Sequence, residues 1–597
     1  MRSEAPPVPG TNVLQAAVRG PSYALLSLAV AIPLLAPIFL SGWFMGHDVL
    51  HPLRLFEQDV MIRAGHFPVR WYPDVAAGYG SAHPVYYAPL FYLIAQLFVL
   101  AGLPIDLSLK LTLAVVLLTT AWVMYRLVSR WFGPGPGLVA AAAVTYAPYH
   151  LVDLYVRTSF SELTVFATLP LALVAFERLG RTPDRRSTAL AGLAFGALLL
   201  THTITTMIAP ALLGLWVGLL CLNPEYRART VIRSAGGAAL LGLGLAAFFL
   251  IPLALERDHI NVGWYTTGFY SFDNHFVQYP ELLWSPWGWG GAQGMSLRLG
   301  EFQILGALLG LLVWFRIRRS AAVLRPVVWL GVLFTLAAIL ALPASRLLWE
   351  HLGPLQLFQF PWRFLVFPAL GMAVLCGLAS RYSETRPKRT QPSTRAFRWP
   401  SPLTSFLTVG LVASGLPFLG FKDRVPTAAA HFARDSTLYA RLSGNAAVEL
   451  RRDFVRATAY RWSDHLPYGA LTRPTSAETG QPAFEVVSGT AAVETMIAGP
   501  VRYQARVSAS DTATIRLNVH RDPGWDWRLN GRSVESVPVK GRRVHLMRVP
   551  PGLHEVEAVL VRTGPRIVGD SVTLLSLAVV IVLSFYKGRF NAVTRER

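Results

Sequence analysis

The stretch GHDVLHPLRLFEQDVMIRAGHFPVRWYPDVAAGYGSAHPVYYAPL, residues 46–90, gathers ionisable and aromatic groups in a chain otherwise poor in charge. Asp48, His51, Leu55 and Gln58 recur at helical spacing, and Arg54 follows His51 by three residues. Asp48, His51 and Arg54 are therefore expected on one surface of a short helix lying at a membrane interface. A carboxylate there suits a general base acting on a sugar hydroxyl. Guanidinium groups beside it suit a lipid-linked phosphate, which they match bidentately. The stretch continues through Arg70, Trp71 and Tyr79 to the pair Tyr86-Tyr87. The same composition also fits a belt that merely anchors the loop at the interface.

A second stretch, YAPYHLVDLYVRTSFSELTVF (146–166), places Asp153, Arg157 and Glu162 near an expected membrane boundary. Ionisable residues are costly there and default to functional candidates. Asp153 and Arg157, at i,i+4, also fit a simple structural pair. Weaker candidates are His202 in LLLTHTITT, Glu301 after the tryptophan-rich segment with Trp284, Trp287 and Trp289, and Arg363 in FQFPWRFL. No Walker A, GxGxxG, HExxH or CxxC pattern appears in a supporting context, which argues against an ATP-driven pump.

These groups must be positioned by membrane helices. The chain has 597 residues, 53% hydrophobic and 15% charged, with a mean hydropathy of +0.41. That composition excludes a cytosolic enzyme, a disordered chain and a disulfide-stapled secreted domain. Cys221 and Cys376, the two cysteines, lie in apolar runs and read as small buried hydrophobes. The net charge, 55 − 34 = +21, collects in short loops such as Arg178–Arg186, Arg227–Arg233, Arg316–Arg325 and Arg381–Arg398. That is the positive-inside pattern, so no nucleic-acid partner is implied. Thirteen apolar runs, from Tyr23 to about residue 586, predict 12–14 spans, with one of the three runs between 85 and 150 not crossing.

The predicted organisation is a cytoplasmic tail (1–21), a transmembrane domain (22–421), an extracytoplasmic β-sandwich (422–568), and a last transmembrane helix with a basic tail (569–597). In the third part TATIRLNVH alternates with period two, and Asn530-Gly531 between WDWRL and SVESVPV is a type I′ hairpin signal.

The strings HDVLHPLRLFEQ, GHFPVRWYPDVAAGYGSAHPVYYAPLFY, YAPYHLVDLYVRTSFSE, LTHT and FQFPWRFL, over roughly residues 25–380, resemble the bacterial and archaeal membrane family labelled 6-pyruvoyl-tetrahydropterin synthase-related. The compact histidine ligand set of the soluble synthase is missing here, so that activity is not transferred. The layout is also similar to the GT-C glycosyltransferase fold. The resemblance implies a mostly α, polytopic bundle with an external C-terminal β-domain, in a bacterial inner (plasma) membrane. It implies a membrane glycosyltransferase that moves sugar from a polyprenyl-phosphate donor to a glycan or protein acceptor of the cell envelope. The acidic position of the first loop maps to Asp48, with Asp59 as the alternative because Glu57-x-Asp59 has the spacing of a tight acidic pair. The second maps to Glu162 or Asp153. His51, Arg54, Arg70, Trp71, Tyr79, Arg157, His202, Glu301 and Arg363 are the expected substrate contacts. A divalent metal is compatible with such a reaction, but the sequence does not require one. The alternative is a non-catalytic polytopic protein whose β-domain binds envelope polysaccharide or a partner.

Overall fold

The structure, a computed structural model, describes residues 21–48, 50–73, 80–257, 266–290, 294–319, 321–384, 400–425, 483–539 and 542–585. Tyr79, both chain ends and most of the start of the expected third domain (426–482) lie outside the described residues. What is described is a mostly helical membrane bundle followed by a β-sandwich and a final apolar helix.

Each of the thirteen apolar runs forms a helix. Among the described residues six have the length and composition to cross a membrane: Ile105–Phe132, Phe160–Arg181, Thr203–Leu220, Ala322–Ala341, Pro361–Arg381 and Gly564–Phe585. Ala228–Leu245 and Ala247–Leu255, bent by 70° at their junction, make a broken seventh. Helices of crossing length therefore fall short of the 12–14 spans expected. Part of the difference comes from chain breakers. Leu90–Leu100 has 11 residues, with Pro89 as its N-cap and Pro104 shortly beyond. It rises only about 16 Å, roughly half the hydrocarbon thickness. Pro134–Thr145 has 12 residues, between Gly133, whose φ is 109°, and a new helix opened by Pro148. From Gly135 onward that short helix is buried, packed between Ile105–Phe132 and the long helix Val366–Glu384.

The first loop starts with a strand, Trp43–Met45, paired antiparallel with Asp423–Val425. The chain then enters the helix His51–Arg63, which has Pro52 in its first turn, where a missing N–H costs nothing. Asp48 lies before this helix rather than on it.

The sandwich has a four-stranded and a five-stranded sheet, all pairs antiparallel. The first runs Phe484–Ser488, Ala513–His520, Arg542–Val549, Val537–Val539. The second runs Ala491–Ala498, Arg502–Ala509, Gly552–Leu560, Trp525–Leu529, Arg532–Val534. Ala513–His520 alternates strictly between buried and half-buried positions, as the sequence predicts. Asn530 and Gly531, with φ of 52° and 78°, join Trp525–Leu529 to Arg532–Val534, the positive-φ pair a type I′ turn needs.

The sandwich core is not closed by its own strands. Met61 and Trp71 of the first loop are buried in it, and the Trp71 ring meets Trp525 edge-on at 5.7 Å. The final helix then runs back along the bent pair. The Thr573 hydroxyl accepts from the Phe248 amide at 2.9 Å and donates to the Gly244 carbonyl at 3.1 Å. It satisfies backbone groups that the break would leave unpaired.

Candidate functional site

Two charge clusters meet at the start of the first loop. In the first, Arg54 Nη1 donates to Asp48 Oδ2 at 3.0 Å and to the Tyr92 hydroxyl at 3.1 Å. The Arg54 guanidinium also lies 4.5 Å above the Tyr87 ring. His51 Nε2 donates to the Thr158 carbonyl at 2.7 Å, and Nδ1 lies 2.7 Å from the Tyr92 hydroxyl. Since a carbonyl only accepts, Nε2 carries the proton and neutral Nδ1 accepts from Tyr92. Burial pushes His51 down to about 4, against the pull of nearby Asp48, so the ring is neutral at pH 7. Burial also acts to raise the Asp48 carboxyl, but Arg54 and His51 outweigh it and hold the group below the usual carboxylate range. Asp48 is thus ionised. Its side chain is 26% exposed, and among the described residues Oδ1 accepts no hydrogen bond.

The second cluster is centred on Arg157. Its Nη2 donates to Glu162 Oε2 at 2.8 Å, and its Nη1 donates to the Tyr149 hydroxyl at 3.0 Å and to Asp153. Tyr149 in turn donates to Glu162 Oε1 at 2.5 Å. The Arg157 guanidinium lies 4.3 Å above Trp362. Arg363 Nε stands 3.6 Å from Glu162 Oε2, while its Nη1 is held by Phe358 O and Gln359 Oε1. His202 is bonded to Thr205 at 3.0 Å and feels the charges of Glu162, Arg363 and Arg157.

The backbone joins the clusters. The Asp48 amide donates to Arg157 O at 2.9 Å, and the Thr158 hydroxyl donates to Asp48 O at 2.7 Å. Thr158 adopts φ 51°, unusual for a β-branched residue. Gly46 is required by this approach, since a Cβ there would collide with the Thr158 side chain.

The structure thus brings together Asp48, His51, Arg54, Arg157, Glu162, His202 and Arg363. It separates the other candidates. Asp59 accepts from Arg63 at 2.6 Å and from Gln96 at 2.8 Å, and Glu57 and Asp59, two residues apart on a helix, do not share a face. Trp71 is 1% exposed inside the sandwich core, so it supports packing and offers no stacking surface. Arg70 is bound to Asp570 at 2.8 Å and touches neither cluster directly, although it lines a small cavity with Tyr87 and Tyr92, which contact Arg54. Glu301 pairs with Arg298 at 3.1 Å and is half-exposed at the start of its helix. Tyr92, Tyr149, Thr158 and Trp362 belong to the site but were not among the expected contacts. Tyr149 carried a signal, since it stands four residues before Asp153 in the same polar stretch.

No group of three or more His, Cys, Asp or Glu side chains among the described residues could hold a metal ion. Each acidic side chain of the clusters is instead bound to a guanidinium. That donor set does not fit a divalent cation, and no step below uses one.

Fold and site together define a polytopic membrane protein with a β-sandwich folded onto its first loop. No family model matches the chain, and no curated protein matches its sequence. The chain is similar to the oligosaccharyltransferase of Archaeoglobus fulgidus in its apo form, at 14% identity and a TM-score of 0.40, over 75% of this chain and 60% of that one. It is also similar to arabinofuranosyltransferase AftD from Mycobacteria, at 15% identity and a TM-score of 0.39, over 85% of this chain and 42% of that one. It therefore spans less than two thirds of the length of either.

Proposed function

We propose that the protein is a GT-C-like glycosyltransferase that moves sugar from a polyprenyl-phosphate donor to a glycan or protein acceptor outside the cytoplasm. The loop 46–90 and the sandwich would face that side, in the inner membrane of a bacterium. The reading rests on one observation: an ionised, partly exposed Asp48, whose Oδ1 accepts no hydrogen bond among the described residues, pairs with Arg54 and is joined through its main chain to the Arg157 cluster. In the reaction an acceptor hydroxyl oxygen bonds to the anomeric carbon with inversion. Its proton passes to Asp48 Oδ1. The bond from the anomeric carbon to the phosphate oxygen breaks, and its electron pair leaves with the polyprenyl phosphate. Arg363 keeps a buried Nε without a hydrogen bond and is the assigned donor to that phosphate. Arg54 and Arg157 add positive potential where negative charge builds up. Glu162, with both oxygens engaged, acts by holding Arg157. The experiment uses membranes containing the full chain and a radiolabelled polyprenyl-phosphate sugar pool. Wild type transfers label to acceptor, and Asp48→Asn, stably expressed, does not. Equal transfer by both would overturn the reading.

The engagement of Glu162 and Asp153 by Arg157 favours a second reading, in which the bundle is a non-catalytic scaffold and the sandwich binds envelope polysaccharide. Glycan binding by the full chain, with no transfer by wild type, would select it.

A further inference from the structure

Arg70, which borders the cavity beside Tyr87 and Tyr92, also lines a second cavity of about 130 Å³. This cavity lies between the first loop, the end of the last sandwich strand and the start of the helix Gly564–Phe585. His66, Phe67, Arg70, Arg562, Arg566 and Asp570 line it. Arg566 is neutralised by Glu256 and Asp522, at 2.8 and 2.9 Å. Arg70 and Arg562 share Asp570, at 2.8 and 3.5 Å. The Arg70, Arg562 and Asp570 group therefore carries one positive charge in excess, while Arg566 with its two carboxylates carries one negative charge.

Arg70 is 7% exposed, and its Nε donates to no group among the described residues. A buried N–H left unmade is costly, and here it borders open space. A water needs roughly 10–15 Å³ by the same measure, so the cavity admits a group the size of a phosphate. Its height in the membrane follows from the final helix. Twenty-two residues rise about 33 Å against about 30 Å of hydrocarbon, which sets the Gly564 end at headgroup level. Phe67 gives the cavity exposed apolar surface, and Ile567 and Val568 add more on the same helix turn as the lining residues Arg566 and Asp570.

We propose that this cavity binds the phosphate of an anionic bilayer phospholipid, with Arg70 and Arg562 as donors. The bound lipid would fasten the sandwich and the first loop to the membrane surface. The inference does not depend on the transferase reading.

The test is thermal unfolding of the full chain in detergent with added phosphatidylglycerol, the neutral diacylglycerol of the same chains, or inorganic phosphate. A ligand that binds the folded state raises the midpoint with its concentration. Phosphatidylglycerol should raise the midpoint of wild type, and Arg562→Gln and Arg70→Gln should need at least tenfold more lipid for the same rise. Arg562 also holds the Phe67 carbonyl at 2.8 Å, so each variant's rise is read from its own lipid-free midpoint, which separates lost binding from lost folding. An equal response of wild type and Arg562→Gln to phosphatidylglycerol, or an equal response of wild type to diacylglycerol, would overturn the proposal. A rise of the same size with inorganic phosphate would assign the cavity to a free anion and overturn the lipid reading.

Discussion

The main-chain amide of Asp48 donates to the carbonyl of Arg157 at 2.9 Å. Through this bond two polar stretches more than a hundred residues apart form one site. Their side chains face different partners, yet neither stretch can shift without moving the other.

Replacing Asp48 by Asn keeps the shape but removes the base. Transfer should fall by about 10²–10⁴-fold, the usual contribution of a general base. Arg54, buried and still charged, loses its partner, so unfolding free energy should drop by about 1–3 kcal/mol. Transfer assays and denaturant melts on the same preparation check both.

Arg157 serves Asp153, Glu162 and Tyr149 and stacks on Trp362. A lysine cannot reproduce that planar fork. Arg157→Lys should therefore be destabilised nearly as much as Arg157→Met, by about 3–5 kcal/mol, since both leave buried carboxylates badly paired. A lysine variant that melts with wild type would contradict this.

His51 gives a pH signature. Its ordinary value of 6.5 is lowered to about 4 in the fold, so between those values the unfolded chain binds a proton that the folded chain does not. Stability should therefore rise from pH 4 to 6.5 and level off above, by about 3 kcal/mol at 1.36 kcal/mol per pH unit. His51→Gln should flatten that rise when melting temperature is followed across the window.

Gly46→Ala forces a methyl group into Thr158. The expected loss is about 1–3 kcal/mol, as for overpacked cores. Adding Thr158→Gly removes the obstacle and relieves the positive φ. The double variant should then be more stable than the sum of the two single losses. Strict additivity in a double-mutant cycle would mean the two residues do not press on each other.

Much of this was legible in the sequence. Asp48, His51 and Arg54 were grouped by spacing, and they do converge, although a proline-started helix leaves Asp48 just outside the predicted turn. The pairing of Arg157 with Asp153 follows the same local rule. The strand at 512–520 and the Asn530-Gly531 hairpin were legible because alternation and positive-φ residues are local signals. Tyr92 and Thr158 were not, since what they do is fixed by partners more than thirty residues away. Trp71 misled for a related reason. An indole in a polar loop looks like a stacking surface until a distant sheet is known to cover it. Fewer helices reach crossing length among the described residues than there are apolar runs, because hydropathy measures apolar length while prolines and glycines cut some of that length into short helices.

The tryptophan at position 71 and the strand that begins at Trp525 carry a consequence for biogenesis. The loop leaves the ribosome about 450 residues before the strands that receive it. Until those strands are made, the bundle must wait in the bilayer with that indole uncovered. The sandwich therefore cannot be exchanged for another without also redesigning the loop that completes its core.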